Sequence, residues 1–228
     1  MTAIPRRTPV RPHSEQAAGP GFEPPRREPN VNRLESSADQ LDRNMNKYVA
    51  FLRAVNVGGH AVVTKDDLRA AFERAGGRGV RTFIQSGNVL FQASARDVAG
   101  VVRSAASRLK RVAGTEPEVI VRSIGQIEAL IDGAPFRDFL STPDIKLYVA
   151  FLSRQPTIKP MLPLISAKEA LEVIQISDCD AFIVSRPKGR GHFGFPNTFI
   201  EKQLGVSATS RNWSTVIRIA ALARNADD

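Results

Sequence analysis

Across residues 47–55 apolar side chains occupy both alternations of an extended chain. Val49, Phe51 and Val55 fall on one face, Tyr48, Ala50, Leu52 and Ala54 on the other. A strand apolar on both faces is covered on both sides, so this pattern predicts a central strand. The period then changes. Thr64 and Asp67 form an acidic capping box, and Leu68, Ala71, Phe72 and Ala75 recur at helical spacing until Gly76-Gly77 ends the helix. Two short runs, 80–85 and 88–93, flank Ser86-Gly87 and predict a hairpin. Ser94 is read as the cap of a long helix with Val98, Val101, Val102, Ala105, Leu109 and Val112 on one face. A strand over 118–122 follows, then a helix boxed by Ser123 and Gln126 that buries Ile127, Leu130 and Ile131. The order is β-α-β-β-α-β plus a helix, the ferredoxin-like succession.

The second half repeats this grammar less clearly. A strand is expected over 145–153, a weak helix within 158–170 (disturbed by Pro160 and Pro163), and a hairpin from 171–177 and 181–186 around Asp178-Cys179-Asp180. A short helix over 197–204 carries Thr198 and Glu201 as a candidate capping box and stops at Gly205. After a short strand at 206–209, the last helix buries Trp213, Val216, Ile217 and Ala220. The pentapeptide Tyr-Val-Ala-Phe-Leu occurs at 48–52 and again at 148–152, and contains both tyrosines of the chain. A chance repeat of that length is improbable. The fold expected is α+β, two tandem ferredoxin-like (βαββαβ-type) subdomains with antiparallel sheets, at 45–140 and 141–228.

Residues 1–44 break the pattern. They hold seven of the fifteen prolines, scattered Arg and Glu, and no apolar period. Such a stretch buries too little apolar surface to offset its chain entropy, which predicts a disordered tail. Met45 directly precedes the first strand and is read as the physiological start; the alternative is a tail with a binding role.

The net charge of +9 raises the question of a nucleic-acid partner. The basic residues are dominated by Arg, 24 of 32, a bias that GC-rich coding also produces without any partner. No apolar run reaches the roughly 18 residues of a membrane span, and no apolar segment of signal-peptide type opens the chain. With the lone Cys179 there is no internal disulfide and no multi-cysteine metal site. A cytoplasmic protein, monomeric, with no membrane partner and no cofactor, is the expectation.

Three polar segments are candidates for chemistry. The first, leaving the opening strand, holds Arg53, Asn56, Gly58 and Gly59, whose glycines permit close approach of a ligand to the backbone. The second is the hairpin tip Gln85, Ser86, Gly87 and Asn88. In a ferredoxin-like half the end of strand one and the tip of the 2–3 hairpin share one edge, so Asn56 and Asn88 are expected as neighbours. Equally, Asn and Gly make turns with no ligand at all. The third, 209–215, is read as a loop entering the last helix, with Arg211, Asn212, Trp213 and Thr215. Free N–H groups there and Arg211 would suit an anion, hydroxyls there are caps, and Trp213 fits the core stripe. Lys188-Gly-Arg-Gly-His192 resembles a phosphate cradle in composition only and reads as a solvated basic turn. Cys179 sits between two carboxylates that weaken it as a nucleophile, and His60 and His192 have no ligand at metal spacing. No catalytic residue is assigned.

The same segments carry a resemblance. Met45-Asn-Lys-Tyr-Val-Ala-Phe-Leu-Arg-Ala-Val-Asn-Val-Gly-Gly, then Ile84-Gln-Ser-Gly-Asn-Val-Leu-Phe, then Ser210-Arg-Asn-Trp-Ser-Thr-Val look like the three signature blocks of the bacterial domain of unknown function 1697. The family pattern has Gly and Ile where this chain has Ala54 and Val55, and Thr and Asn where it has Ser210 and Ser214. The resemblance implies two ferredoxin-like subdomains and no particular activity. From the residues, three functions stay open. One is a small binding module whose Asn/Gly/Arg edge meets a phosphate-bearing or other anionic ligand, nucleic acid included. Another is an enzyme acting on a small anionic substrate. The third is a structural or interaction protein whose loops are only turns.

Overall fold

The structure, a computed structural model, describes residues 45–53, 62–83 and 87–225, and these belong to a single compact unit. The fold is mixed α+β, with antiparallel sheets. The first sheet holds β1 (Met45–Leu52), β2 (Arg78–Phe83), β3 (Asn88–Ser94) and β4 (Val119–Ser123) in the order β2-β3-β1-β4. Its helices are α1 (Lys65–Arg74), α2 (Val98–Ala113) and α3 (Ile124–Asp132). The second sheet holds β5 (Lys146–Leu152), β6 (Leu164–Ser166), β7 (Leu171–Ser177), β8 (Asp180–Ser185) and β11 (Ala208–Asn212) in the order β11-β5-β8-β7-β6. A two-residue pair, β9 (Pro187–Lys188) and β10 (His192–Phe193), stands apart, and α4 (Asn197–Leu204) and α5 (Trp213–Arg224) complete the half.

Both copies of the pentapeptide occupy like places. Val49 lies opposite Leu90 and Arg122 in the first sheet, and Val149 lies opposite Phe182 and Arg211 in the second. Alternation along each copy then divides the apolar residues between cores. Tyr48, Ala50 and Leu52 face Leu68 and Phe72 of α1 and Val101 and Leu109 of α2. Tyr148, Ala150 and Leu152 face Ile200 and Leu204 of α4. The odd-numbered residues Val49, Phe51, Val149 and Phe151 meet in one shared core with Ile127 of α3 and Trp213, Val216 and Ile219 of α5. That shared core joins the halves into one hydrophobic interior.

Local chemistry accounts for most boundaries. Both capping boxes form: Thr64 with Asp67 on α1, and Ser123 with Gln126 on α3. Gly114 and Gly205 end α2 and α4 in the left-handed region, at φ 78° and 63°.

Several expectations are corrected. The helix expected within 158–170 is absent; Pro160 and Pro163 withhold backbone donors, and the segment instead contributes the edge strand β6. Ser94 ends β3 rather than capping α2; its hydroxyl accepts from the Asp97 amide, and the helix starts after Asp97. No Thr198–Glu201 box forms, because Pro196 is the cap residue of α4 and Glu201 is engaged elsewhere. In α5 the buried stripe runs through Ile219 and Ala223, while Ile217 is 42% exposed.

Candidate functional site

Segment 209–212 is not a loop. It is strand β11, paired with β5, and this changes what Arg211 can do. An alternating strand turns Arg211 toward the other half of the molecule, away from the start of α5. Its Nε donates to Asn88 Oδ1, and its Nη2 donates to the carbonyls of Leu52 at 3.2 Å and Gly87 at 3.4 Å. Nη1 donates to Thr209 Oγ1 at 2.8 Å and to Ser210 O at 2.9 Å. The guanidinium lies 5.3 Å over the Phe51 ring. Three stretches distant in sequence therefore converge: the end of β1, the start of β3 and β11.

Each partner is prepared locally. Gly87 has φ 70°, and a Cβ there would stand 3.0 Å from Leu52 Cβ, so glycine is what lets the hairpin close on β1. Its carbonyl also accepts from the Leu52 amide at 2.8 Å. Asn88 is fully buried and donates from Nδ2 to Phe83 O at 3.0 Å, which orients its Oδ1. Arg211 is 8% exposed, and burial pulls its guanidinium down to about 10. The five acceptors named above are neutral oxygens, which stabilise a charge that burial alone would penalise.

The second half builds the mirror of this contact. Arg122 on β4 crosses in the opposite direction. Its Nη2 donates to the carbonyls of Leu152 at 3.0 Å and Cys179 at 2.7 Å, and its Nε and Nη2 reach Asp180 Oδ1 at 3.1 and 3.0 Å. It lies 5.6 Å over the Phe151 ring. Phe51 and Phe151 stack on each other at 4.0 Å with 10° between planes. The result is a layered column, Arg211–Phe51–Phe151–Arg122, in which each half lends its arginine to the other. Such an aromatic pair adds about 0.5–1.5 kcal/mol beyond its buried area, and each guanidinium–ring contact adds about 0.5–2. Arg122 and Asp180 were not among the sequence candidates. The repeat could have found them, since Arg122 faces Val49 as Arg211 faces Val149 and Asp180 faces Phe151 as Asn88 faces Phe51.

One difference breaks the symmetry. Where Arg122 meets the Asp180 carboxylate, Arg211 meets the Asn88 amide. Burial pushes the Asp180 carboxyl up, Arg122 pulls it down, and Asp178 pushes it up again.

The other candidates disperse. Arg53 donates bidentately to Glu201 at 2.9 and 2.9 Å, with Glu118 at 3.9 Å, so its charge is matched by acids. Asn212 precedes α5 without a side-chain cap bond and is exposed, and Thr215 is half-buried one turn in. Trp213 is core, edge-on to Phe136 at 5.2 Å. The anion site expected at the start of α5 with Arg211 is thus corrected, because Arg211 points elsewhere. Lys188 pairs with Glu169 at 3.0 Å. Asn56, Gly58, Gly59, Gln85 and Ser86 lie outside the described residues; their segments are joined covalently to Arg53 and to Gly87. Among the described residues no group of three or more His, Cys, Asp or Glu side chains is arranged to hold a metal. No helix among them is long and apolar enough to cross a membrane.

A comparison with curated proteins finds no match. Among solved structures the chain is similar to a conserved bacterial protein from Streptococcus pneumoniae, at 20% identity and a TM-score of 0.50, over 78% of this chain and 98% of that one. At that identity the likeness speaks for the fold alone. The model of one family, described as "Protein of unknown function (DUF1697)", matches residues 45–182, more than half of the chain and both sides of the Phe51–Phe151 column. The chain belongs to that family.

Proposed function

We propose that the protein is a binding module made of two ferredoxin-like halves, 45–140 and 141–228, and that the rim of the first half receives a phosphate-bearing or other small anionic ligand. The strand orders β2-β3-β1-β4 and β11-β5-β8-β7 support the duplicated architecture, since the same succession recurs after one hundred residues. The anion reading rests on one observation: Asn88 stands where its counterpart is Asp180. At that position an amide keeps the geometry of the contact without bringing a carboxylate to the crossing arginine. Arg211 is too buried to wrap a ligand. It acts as a fixed charge behind the carbonyls of Leu52 and Gly87. A fixed, preorganised charge in a low-dielectric setting attracts an anion more strongly than a solvated lysine does.

Asn88→Asp tests this by giving the first half the chemistry of the second. Thermal shift is measured at low salt with inorganic phosphate, AMP and a single-stranded oligonucleotide. At least one probe is expected to raise the melting temperature saturably in the native protein. The Asn88→Asp variant is expected to keep its fold and lose that response. If no probe stabilises the native protein, or the variant responds equally, the reading fails. Oligonucleotide binding that varies only with salt, as for any basic protein, does not count in its favour.

A further inference from the structure

A cleft lies where the two halves meet, lined by residues of both. It measures about 360 Å³ and opens beside the Arg122–Asp180 contact, between α3 and the β7–β8 hairpin. That volume is in the range of small-molecule sites. Its origin is visible in the duplication. Strand pairing sets Ser177 where the first half has Phe83, since Ser177 lies opposite Asp180 and Phe83 opposite Asn88. Counting from the first residues of α3 and α5, Ile124 and Trp213, Ala129 of α3 stands where α5 has Arg218. At that equivalent place Phe83 and Arg218 meet across the halves, the Arg218 guanidinium 5.0 Å over the Phe83 ring. At the cleft a hydroxymethyl (Ser177) and a methyl (Ala129) take the place of the ring and the guanidinium, and the plug is missing.

The lining has a definite chemistry. Its charged side chains are Arg122, Asp178 and Asp180, a net charge of −1 within a chain of +9. Arg122 is committed to Asp180 Oδ1 and to carbonyls, and its side chain is only 9% exposed. Asp178 and Asp180 are near enough for Asp178 to add to the rise that burial gives the Asp180 carboxyl. Gln126 uses Oε1 to cap α3, accepting from the Ser123 amide, which leaves its NH₂ as a donor. Leu130 and Phe182 supply an apolar wall. An anion entering here meets two carboxylates, whereas a monocation neutralises the cleft.

We infer that this cleft is a binding site for a small organic cation, an alkyl ammonium or guanidinium whose head meets Asp178 and Asp180 and whose aliphatic part lies on Leu130 and Phe182. The site is separate from the anion rim of the first half and does not rest on it. The two fail independently, because the rim is read with phosphate probes and Asn88→Asp while the cleft is read with amines.

The test is an NMR titration of the ¹⁵N-labelled full chain at low salt with agmatine, n-butylammonium and benzylammonium, and with n-butanol as the neutral control. At least one cation is expected to shift the amides of Gln126 and residues 177–180 saturably, and n-butanol to leave them in place. Asp178→Asn is expected to weaken binding about tenfold, the loss of one close charge pair. The residue lies at φ 45°, a conformation asparagine accepts, so the variant folds. The double variant Ala129→Arg, Ser177→Phe restores the plug and is expected to abolish binding. No saturable shift with any of the three cations up to about 10 mM, a ceiling that marks negligible affinity, overturns the inference. So does equal binding of n-butanol, or undiminished binding by Asp178→Asn.

Discussion

Arg211 shows how much a single side chain can be asked to hold. Five acceptors from two halves of the chain surround one planar fork, and a lysine offers its three donors from a single point. Arg211→Lys is therefore expected to cost about 2–4 kcal/mol in urea unfolding although it keeps the charge, since each orphaned buried acceptor costs about 1. A cost under 1 kcal/mol would show that the fork geometry is dispensable. At the surface the stakes are lower and depend on pH. Thr64 holds the Asp67 carboxyl below its usual range through side-chain and backbone hydrogen bonds. Its folded value lies under its unfolded one, so this contribution is present above about pH 4 and fades as the pH falls through the folded value. Thr64→Ala is expected to lose about 1 kcal/mol at neutral pH, with a smaller difference from the native protein at the acid limit. Parallel unfolding curves at pH 7 and pH 3 check it.

At the level of elements, α5 shows where periodicity misleads. Ile217 sits four residues after Trp213 and matches a helical spacing, yet it is exposed while Ile219 is fully buried. Two neighbouring faces of this helix are apolar, and only the position of the sheet selects between them. Ile219→Ala is expected to cost about 2–5 kcal/mol by leaving a cavity, and Ile217→Ala to change stability by less than about 0.5. Comparable losses at both positions would place the stripe wrongly. The segment after β5 teaches a related lesson. Its first-half counterpart is a capped helix, but two prolines make that helix unaffordable here, and the chain returns as β6 at the sheet edge. Capping boxes were legible because they are local, closed by side chains three residues apart. Strand β11 was legible only at its start, in the short strand expected over 206–209; Ser210-Arg-Asn has no apolar alternation to announce it, and pairing with β5 carries the strand on to Asn212.

For the whole molecule the decisive feature is the shared core. Val49, Phe51 and Leu90 of the first half are buried against Val149, Phe151 and Phe182 of the second. Residues 45–140 expressed alone would expose that face, and at this size a fragment has little stability to spare. Such a fragment is expected to bind a hydrophobic dye or self-associate, and a monomer with sharp two-state unfolding would contradict the shared core. Three things about this protein were decided by the sequence alone: the repeated pentapeptide, the apolar faces of β1 and β5, and the caps of α1 and α3. Each depends on residues that are neighbours along one element or on identity between two stretches. The tertiary structure alone decided that Arg211 and Arg122 trade places across two stacked rings, that Asn88 is the neutral member of a pair whose other copy is Asp180, and that small residues at 129 and 177 leave a cleft. Those outcomes depend on which faces meet when two sheets pack, and no spacing along the chain encodes a contact between residues 123 apart.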